Sequence, residues 1–459
     1  MKSPATLLFP GQGAYLPGAL AALNSSFPDM REVLDAVDAV AAEHRTRPVS
    51  SLLLERDAPA AEELVKSDPA RSHLAIYACS TALYRVMAAY RGLEFDVLVG
   101  HSFGEIAALA AAGAVSVADG ARMVAERDAA FQARPPVPGG MLSLALSETR
   151  TRQLLCAAAL ARVEVAAVNA PHQTVVSGPE EQLAKVESAA GAIGVQCGRL
   201  RAPYSFHNRA LWPVAEEWAA RIASIPVVEP RCRVYSPIVM AYYGTGDDLR
   251  AAIVSHLTRP VRFADAVREL DAQGMARFVE CGARSILTDL VTQNLVGADV
   301  HAPLRRRDGV SEALDELASG TPAPAGAPAQ APTPPSAVGE QAAETGQAPG
   351  GRAGPSAGAA PDPARLPERA ALLGLLRQEY ARALDYPEDV FADDADLEAD
   401  LGVDSLKQVE MFARLRRRFG LSAPGESVRV AGYRTLPAVA DGLIELASGA
   451  VGLSAEAGR

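Results

Sequence analysis

The sequence FDVLVGHSFGEIAALAAA, residues 95–112, indicates how the larger part of this chain folds. Phe95–Val99 is a short apolar run of the kind found in buried strands, and Glu105–Ala112 is rich in helix-forming residues. Between them lies Gly100-His101-Ser102-Phe103-Gly104, a GxSxG element. A strand, a glycine-rich turn and a helix in this order form a nucleophile elbow, which lifts a serine hydroxyl clear of the backbone. We therefore predict an α/β layer structure with Ser102 as a nucleophile.

A glycine-rich turn with an ordinary helix-capping serine would match the same pentapeptide, so Ser102 needs a general base nearby. The chain has seven histidines. His101 adjoins the serine, but its side chain should leave the turn in a different direction. His207 follows the predicted strand Val195–Leu200 in a short polar loop, where catalytic side chains are usually presented. We therefore predict His207 as the base.

A second pattern is nested within the first, because six consecutive segments follow the order β-α-β-β-α-β. They are Met141–Leu146, Thr149–Leu160, Val163–Val168, Thr174–Ser177, Glu180–Ala190 and Val195–Leu200. This order is typical of ferredoxin-like units. The sequence thus predicts a small subdomain, at about residues 135–202, inserted into the larger one.

A composition change divides the chain. Residues 318–367 contain 15 Ala, 11 Pro and 8 Gly, with Val338 and Leu366 as the only large apolar residues. Such a segment cannot bury enough surface to offset its ordering entropy, so we predict a flexible linker, with outer bounds at 306–367. Three predicted helices follow, namely Glu368–Ala383, Ser405–Phe419 and Leu436–Leu446. The second has an apolar stripe on one side, and the three together predict a small all-α bundle.

Composition also excludes several classes of protein. The net charge of −11 argues against a nucleic-acid partner. The sequence has neither the apolar run of a membrane span nor a signal-peptide core, so we expect no membrane partner and a cytoplasmic location. The five cysteines are widely spaced and lack a CxxC or Cys/His pattern, so we expect neither disulfides nor a metal site.

Five ordered motifs over about residues 1–305 resemble the malonyl-CoA:acyl-carrier-protein transacylase family, which includes the acyltransferase domains of polyketide synthases. They are Gly11-Gln12-Gly13, Gly100-His101-Ser102-Phe103-Gly104-Glu105, Arg127 with Gln132, Asn169-Ala170-Pro171 leading to Val176-Ser177-Gly178, and Phe206-His207. The resemblance implies an α/β-hydrolase-like large subdomain around the inserted small one.

The resemblance also implies roles for individual residues. Ser102 is the nucleophile and His207 its base, and the backbone N–H groups of Gln12 and Phe103 form the oxyanion hole. In the family, a glutamine carbonyl orients the histidine, and the matching residue here is His256. Arg127 corresponds to the arginine that pairs with the free carboxylate of malonyl-CoA, which suits the planar fork of a guanidinium.

The same resemblance bears on the acyl group. Phe103 and Phe206 are similar to residues of malonyl-selective domains, whereas Tyr204 is similar to that of methylmalonyl-selective ones. We expect malonyl-CoA as donor, with methylmalonyl or another substituted malonyl group as the alternative. Asp128 and Phe131 replace the family's usual glycine and methionine, and a carboxylate at position 128 could weaken the positive field of the pocket.

A second resemblance covers about residues 368–448. Leu401-Gly402-Val403-Asp404-Ser405-Leu406 is similar to the attachment motif of acyl carrier proteins. It implies that Ser405 carries 4′-phosphopantetheine, added by a phosphopantetheinyl transferase. The alternative interpretation is that Ser405 or Asp404 simply caps the helix, and for an Asp-Ser-Leu sequence on its own this would be the better interpretation.

Together the resemblances imply transfer of a malonyl-type unit from CoA, through a Ser102 acyl-enzyme, to an acyl carrier protein in cis or in trans. A ketosynthase or other polyketide synthase component would then use the unit. One alternative is an acyl-thioester hydrolase that edits misloaded carriers, for which Arg127 would have no use. Another is a scaffold with an inactive large domain, which an intact Ser102 and His207 disfavour.

Overall fold

The computed structural model describes residues 4–89, 93–319, 366–384, 388–397, 401, 403, 405–419, 421 and 433–456. The chain divides into two units. The first is an α/β unit built from the described residues before 320. The second is helical and is built from the helices after residue 365. Most of the predicted linker lies outside the described residues, as do Asp400, Gly402 and Asp404.

Ten strands of the α/β unit form two sheets. They are β1 (Ala5–Phe9), β2 (Val97–Gly100), β3 (Gly139–Leu144), β4 (Glu164–Ala170), β5 (Gln173–Pro179), β6 (Cys197–Arg199), β7 (Arg233–Ser236), β8 (Ala241–Tyr242), β9 (Arg277–Glu280) and β10 (Asp299–His301). The main sheet has the order β10-β9-β1-β2-β7-β8, and all its pairs are parallel except β7 with β8.

The described residues of this unit also form thirteen α-helices. They are α1 (Pro28–Glu43), α2 (Ser50–Leu54), α3 (Ala61–Ser67), α4 (Pro69–Ala89), α5 (Gly104–Ala111), α6 (Val117–Ala133), α7 (Glu148–Ala157), α8 (Glu180–Ala192), α9 (Trp212–Arg221), α10 (Leu249–Ser255), α11 (Phe263–Ala272), α12 (Ile286–Asn294) and α13 (Val310–Ser319). Every residue of β1 and β2 is buried, as expected for a parallel sheet covered on both faces.

The register of the two central strands positions the site. Phe9 pairs with Gly100, so β1 and β2 end side by side. The loops that follow, at residues 10–13 and 101–103, therefore begin at the same edge of the sheet. In parallel sheets, ligands bind beyond this carboxyl edge.

The inserted segment has the predicted succession of strands and helices. Its antiparallel sheet has the order β4-β5-β3-β6, and α7 and α8 cover it. A core of its own includes Leu142, Val176, Leu183 and Val186, each with no exposed surface. The last strand is shorter than predicted, with Cys197–Arg199 in place of residues 195–200.

The predicted start of the linker at residue 306 is wrong. Residues 310–319 form α13, whose Val310, Leu314 and Leu317 are at most 3% exposed and belong to the main hydrophobic core. These residues recur at intervals of four and three, which places them on one helical face. The α/β unit therefore extends at least to Ser319.

The second unit contains three helices, α14 (Arg369–Leu384), α15 (Ser405–Arg418) and α16 (Leu436–Glu456), and a short 3₁₀ turn at Glu388–Val390. Ion pairs join its helices. Arg369 Nε lies 2.6 Å from Asp441 Oδ1 and links α14 to α16, and Arg418 pairs with Glu379 between α15 and α14. The three predicted helices are present, with α16 ten residues longer than predicted.

None of the helices described is both long enough and apolar enough to cross a membrane.

Leu314→Ala tests whether α13 belongs to the folded unit. Because Leu314 is fully buried, we expect the free energy of unfolding to fall by about 2–5 kcal/mol. Both tryptophans, Trp212 and Trp218, lie in the α/β unit, so their fluorescence in a urea titration reports on this unit alone. The exposed Glu312→Ala on the same helix should change the value by less than about 0.5 kcal/mol. Equal effects of the two substitutions would contradict the assignment.

Candidate functional site

Ser102 lies at a sharp turn between β2 and α5. Its φ is +56°, a left-handed conformation that costs a non-glycine residue about 1–3 kcal/mol. The flanking glycines make the turn possible. A Cβ on Gly100 would lie 2.1 Å from Glu105 Cα, and a Cβ on Gly104 would lie 2.3 Å from the Phe9 carbonyl oxygen. The geometry of the turn therefore requires both glycines of the GxSxG element.

The hydroxyl of Ser102 contacts the imidazole of His207. Its Oγ lies 2.8 Å from His207 Nε2, and His207 Nδ1 lies 2.8 Å from the carbonyl oxygen of Arg259. A carbonyl only accepts hydrogen bonds, so Nδ1 carries the hydrogen and Nε2 is free to accept the serine proton. His207 also has a left-handed φ, +60°. The two residues are thus arranged as a nucleophile and its base.

Burial keeps the His207 ring neutral. The side chain is 3% exposed, and loss of hydration lowers the pKa of His207 to about 3, while the Arg259 carbonyl opposes the shift. His101, which also lies at the elbow, contacts Asn169 Oδ1 through Nε2 at 2.9 Å. Burial lowers the pKa of His101 as well. As predicted, its side chain turns away from the hydroxyl.

The prediction that the His256 carbonyl orients His207 is wrong, because the carbonyl belongs to Arg259. Arg259 precedes Pro260, a position at which the helical conformation is disfavoured. The helical turn after α10 therefore ends there, and this carbonyl is available to the imidazole. The Leu257 carbonyl accepts from the N–H of Asn208 at 3.1 Å, which holds the same segment against the histidine loop.

The His256 side chain is buried behind the elbow. Its Nε2 lies 3.6 Å from Glu105 Oε1, in the first turn of α5. The Glu105 carboxylate accepts hydrogen bonds from the hydroxyls of Ser236 and Tyr243. The second imidazole thus lies beside the first turn of the helix that follows Ser102.

Gln12 lies in the loop after β1, beside the elbow. A Cβ on the preceding Gly11 would lie 2.6 Å from the His101 carbonyl oxygen, so the two loops approach closely. The Gln12 side chain donates to the Arg201 carbonyl at 2.9 Å, which fixes the loop to the segment before His207. An oxyanion hole formed by the N–H groups of Gln12 and Phe103 stays a prediction.

Arg127 projects from α6 into an aromatic environment. Its guanidinium carbon lies 4.6 Å from the ring centre of Phe103 and 5.4 Å from that of Phe206. The side chain is buried, and its Nε and Nη2 have no hydrogen-bond partner among the described residues. Burial lowers the pKa of Arg127. A buried cation with unused donors is suited to binding an anion.

The carboxylates beside Arg127 in sequence have other partners. Glu126 pairs with Arg221 at 3.1 Å. Asp128 accepts from His73 Nδ1, at 2.9 Å to one oxygen and 3.0 Å to the other. The Asp128 charge still acts on Arg127, because it opposes the lowering of the Arg127 pKa by burial. No sequence motif marks His73, which lies 55 residues away in the apolar helix α4.

Tyr204 and Phe206 lie next to the site and share an aromatic group with Phe131. Tyr204 stacks on Phe131 with ring centres 3.9 Å apart, and Phe206 meets Phe131 edge to face at 5.5 Å. Phe131, which replaces the family methionine, thus holds the Tyr204 ring parallel to its own. Such pairs hold the three rings in fixed relative positions.

In the helical unit, Ser405 is the first residue of α15. The N-terminus of a helix of this length favours an anion through its free N–H groups and its macrodipole. Within the described parts of both units, no cluster of three or more His, Cys, Asp or Glu side chains is arranged to hold a metal ion.

Comparison with protein families matches both units. Residues 6–310 match the acyl transferase domain family, and residues 374–443 match the phosphopantetheine attachment site family. The first match covers more than half of the chain.

Individual proteins are similar over about two thirds of the chain. The chain is 31% identical over 295 residues to a phenolphthiocerol synthesis polyketide synthase of Mycobacterium marinum, which covers 64% of the chain but only 14% of the relative. The solved malonyl CoA-acyl carrier protein transacylase of Coxiella burnetii is 26% identical with a TM-score of 0.62, over 69% of this chain and 99% of that one. An acyltransferase domain of the salinomycin polyketide synthase is 30% identical with a TM-score of 0.60, over 69% and 73%.

The low pKa of His207 predicts how the reactivity of Ser102 depends on pH. For a base with the usual histidine pKa, the neutral fraction would fall about thirtyfold between about pH 8 and about pH 5. We expect the rate of Ser102 modification by a fluorophosphonate to fall at most about threefold over this range, because His207 stays neutral. Intact mass measures the rate, and Ser102→Ala corrects for labelling elsewhere. A decline centred near the ordinary histidine pKa would contradict the assignment.

Proposed function

Because this chain belongs to the acyl transferase domain family, we propose that it transfers a malonyl-type unit from CoA, through Ser102, to an acyl carrier protein. The acceptor is the chain's own carrier unit at Ser405, a partner carrier, or both. One observation carries the proposal. The buried Arg127, with unused donors, lies against the aromatic neighbours of the Ser102–His207 pair. An acyl group with a free carboxylate would provide the missing anion.

The first half of the reaction makes an ester on Ser102. His207 Nε2 takes the hydroxyl proton while Oγ attacks the thioester carbonyl carbon. The negative charge on the carbonyl oxygen is stabilised by the N–H groups of Gln12 and Phe103. When the carbon–sulfur bond breaks, His207 returns the proton to the departing CoA sulfur. The Arg259 carbonyl stabilises the imidazolium at Nδ1 during this step.

The second half uses the same residues in reverse. When bound at Ser405, 4′-phosphopantetheine supplies an acceptor thiol, and the position of Ser405 at the N-terminus of α15 suits its phosphate. His207 removes the acceptor proton and returns it to Ser102 Oγ as the ester bond breaks. Transfer requires that water compete poorly at this stage, and the burial of His207 supports that condition.

Arg127 selects the acyl group in this proposal. Its guanidinium would form a bidentate pair with the terminal carboxylate in a desolvated pocket, where an acetyl group would leave the charge unpaired. This disfavours the alternative of a hydrolase that edits uncharged acyl chains. We prefer malonyl to methylmalonyl because Phe206 and the Tyr204–Phe131 stack leave little room for a methyl branch.

The partners follow from the chemistry. A phosphopantetheinyl transferase must modify Ser405, and a ketosynthase or other polyketide synthase component must use the acyl unit.

We also propose three finer assignments of the fold. They are an α/β-hydrolase-like domain at 1–305, extended to include α13, with a ferredoxin-like insert supported by the order β4-β5-β3-β6, and a carrier bundle at 368–448.

Intact mass of the phosphopantetheinylated chain after incubation with malonyl-CoA tests the function. We expect malonyl groups on both Ser102 and the carrier unit. Ser102→Ala should lose both, because the carrier is loaded through the enzyme, whereas Ser405→Ala should keep the serine ester and lose only the carrier signal. Carrier loading that persists in Ser102→Ala would contradict the mechanism, and rapid release of malonate without carrier loading would favour the hydrolase.

Arg127→Leu tests the selection of the carboxylate. We expect malonyl labelling of Ser102 to slow by at least about thirtyfold, the loss typical of breaking a buried charge pair, while acetyl labelling slows far less. Arg122→Leu provides the matched control on the same helix. Arg122 is part-exposed and pairs with Glu43 and Asp119, so its loss should leave the malonyl-to-acetyl ratio unchanged. A parallel loss of malonyl and acetyl labelling in Arg127→Leu would refute its role in selection.

A further inference from the structure

The His73–Asp128 pair has no part in the proposed mechanism, yet it is built into the same site. The His73 side chain is 1% exposed and Asp128 is 7% exposed. His73 Nδ1 lies 2.9 Å and 3.0 Å from the two carboxylate oxygens, whereas Nε2 is buried and has no partner in the described part of the chain. Buried polar atoms are rarely left unpaired, so this nitrogen calls for an explanation.

The pair shares its walls with Arg127. The His73 ring meets the Phe103 ring edge-on at 5.6 Å and the Phe206 ring at 6.3 Å. The Arg127 guanidinium contacts the same two rings. Phe103 follows Ser102 in sequence and Phe206 precedes His207. His73 and Arg127 therefore share two aromatic neighbours, and each of these is adjacent in sequence to one member of the Ser102–His207 pair.

Asp128 decides what the free nitrogen can do. A carboxylate only accepts hydrogen bonds, so Nδ1 of His73 carries the hydrogen. In the neutral ring, Nε2 then presents a lone pair and no hydrogen. The lone pair on Nε2 would repel the carboxylate of a malonyl group, so that carboxylate binds to Arg127 instead. Nε2 itself requires a hydrogen-bond donor. Carbon C2 of the acyl unit lies between the thioester carbonyl and the carboxylate, and a substituent on C2 can supply this donor.

We propose that the acyl pocket selects a malonyl unit with a hydroxyl group at C2, which donates its hydrogen to His73 Nε2. This inference rests on the proposed function and names its substrate class. His73 would be a specificity-determining residue, and Asp128 the positioning residue that fixes its tautomer. A site that is built to bond a substrate hydroxyl strongly disfavours the analogue that lacks it, because the site's own polar atom stays unpaired.

Two other C2 substituents fit less well. A methyl group cannot donate to Nε2 and is larger than a hydroxyl, in a space bounded by Phe206 and the Tyr204–Phe131 stack. An amine would be an ammonium ion at neutral pH. It would place a second cation near the buried Arg127, whose neighbour Asp128 is already bonded to His73.

The test is competition among the CoA thioesters of hydroxymalonic, malonic and methylmalonic acids for Ser102, read as the mass of the acyl-enzyme. We expect the hydroxymalonyl ester to exceed the malonyl ester by at least about tenfold, with the methylmalonyl ester lowest. Malonyl labelling equal to or above hydroxymalonyl labelling overturns this inference and leaves the proposed function standing. If no thioester labels Ser102, the proposed function fails, and this inference fails with it.

Variants identify the residue responsible. His73→Phe keeps an aromatic ring and removes the acceptor, so the hydroxymalonyl-to-malonyl ratio should fall by at least about tenfold. His301→Phe is the matched control, since His301 contacts Asp299 at 2.8 Å on β10, outside the site, and the ratio should not change. A preserved ratio in His73→Phe overturns the role of His73. Should His73→Phe fail to fold, the wild-type competition decides the question alone.

Discussion

The close approach of backbone to backbone at the end of β2 is the constraint on which the site depends. Gly100 and Gly104 leave no room for a Cβ, and between them Ser102 is held in a left-handed conformation. Because β1 ends beside β2, the loop that carries Gln12 reaches the same place. The insert and the segment after α10 then bring His207 and the Arg259 carbonyl to the serine. Local strain at one residue is thus maintained by long-range packing.

Exclusion of water gives these groups their chemical character. The same burial that keeps His207 able to accept a proton leaves Arg127 Nε and Nη2 without a hydrogen-bond partner among the described residues, beside the rings of Phe103 and Phe206. A neutral base near a buried cation with unused donors would be costly in a purely structural core. Their coexistence is understandable if an anionic acyl group completes the pocket. In the proposed function, His73 and Asp128 extend this reasoning to the C2 position of the acyl unit.

Sequence patterns predicted what is local, and missed what depends on distant packing. The elbow and the alternation of strands and helices follow from periodicity and from glycine spacing, and both are present. The motif predicts that the carbonyl of His256 orients His207, three residues before Arg259, whose carbonyl does so in the structure. A motif alignment does not show where a helical turn ends before Pro260. The contact of His73 with Asp128 joins α4 to α6, and no local signal marks it. The spacing of Val310, Leu314 and Leu317 did mark α13, but the adjacent Ala- and Pro-rich composition obscured it.

Because the imidazole of His207 is neutral in the folded chain, the stability of the fold depends on pH. Its pKa lies near 3 in the folded chain and near 6.5 in the unfolded chain, so only the unfolded form takes up this proton between those values. The contribution of His207 to stability is therefore complete above about pH 6.5 and is lost as the pH falls toward 3, by about 1.4 kcal/mol per unit in that interval. The burial of His207 thus makes the α/β unit sensitive to acid.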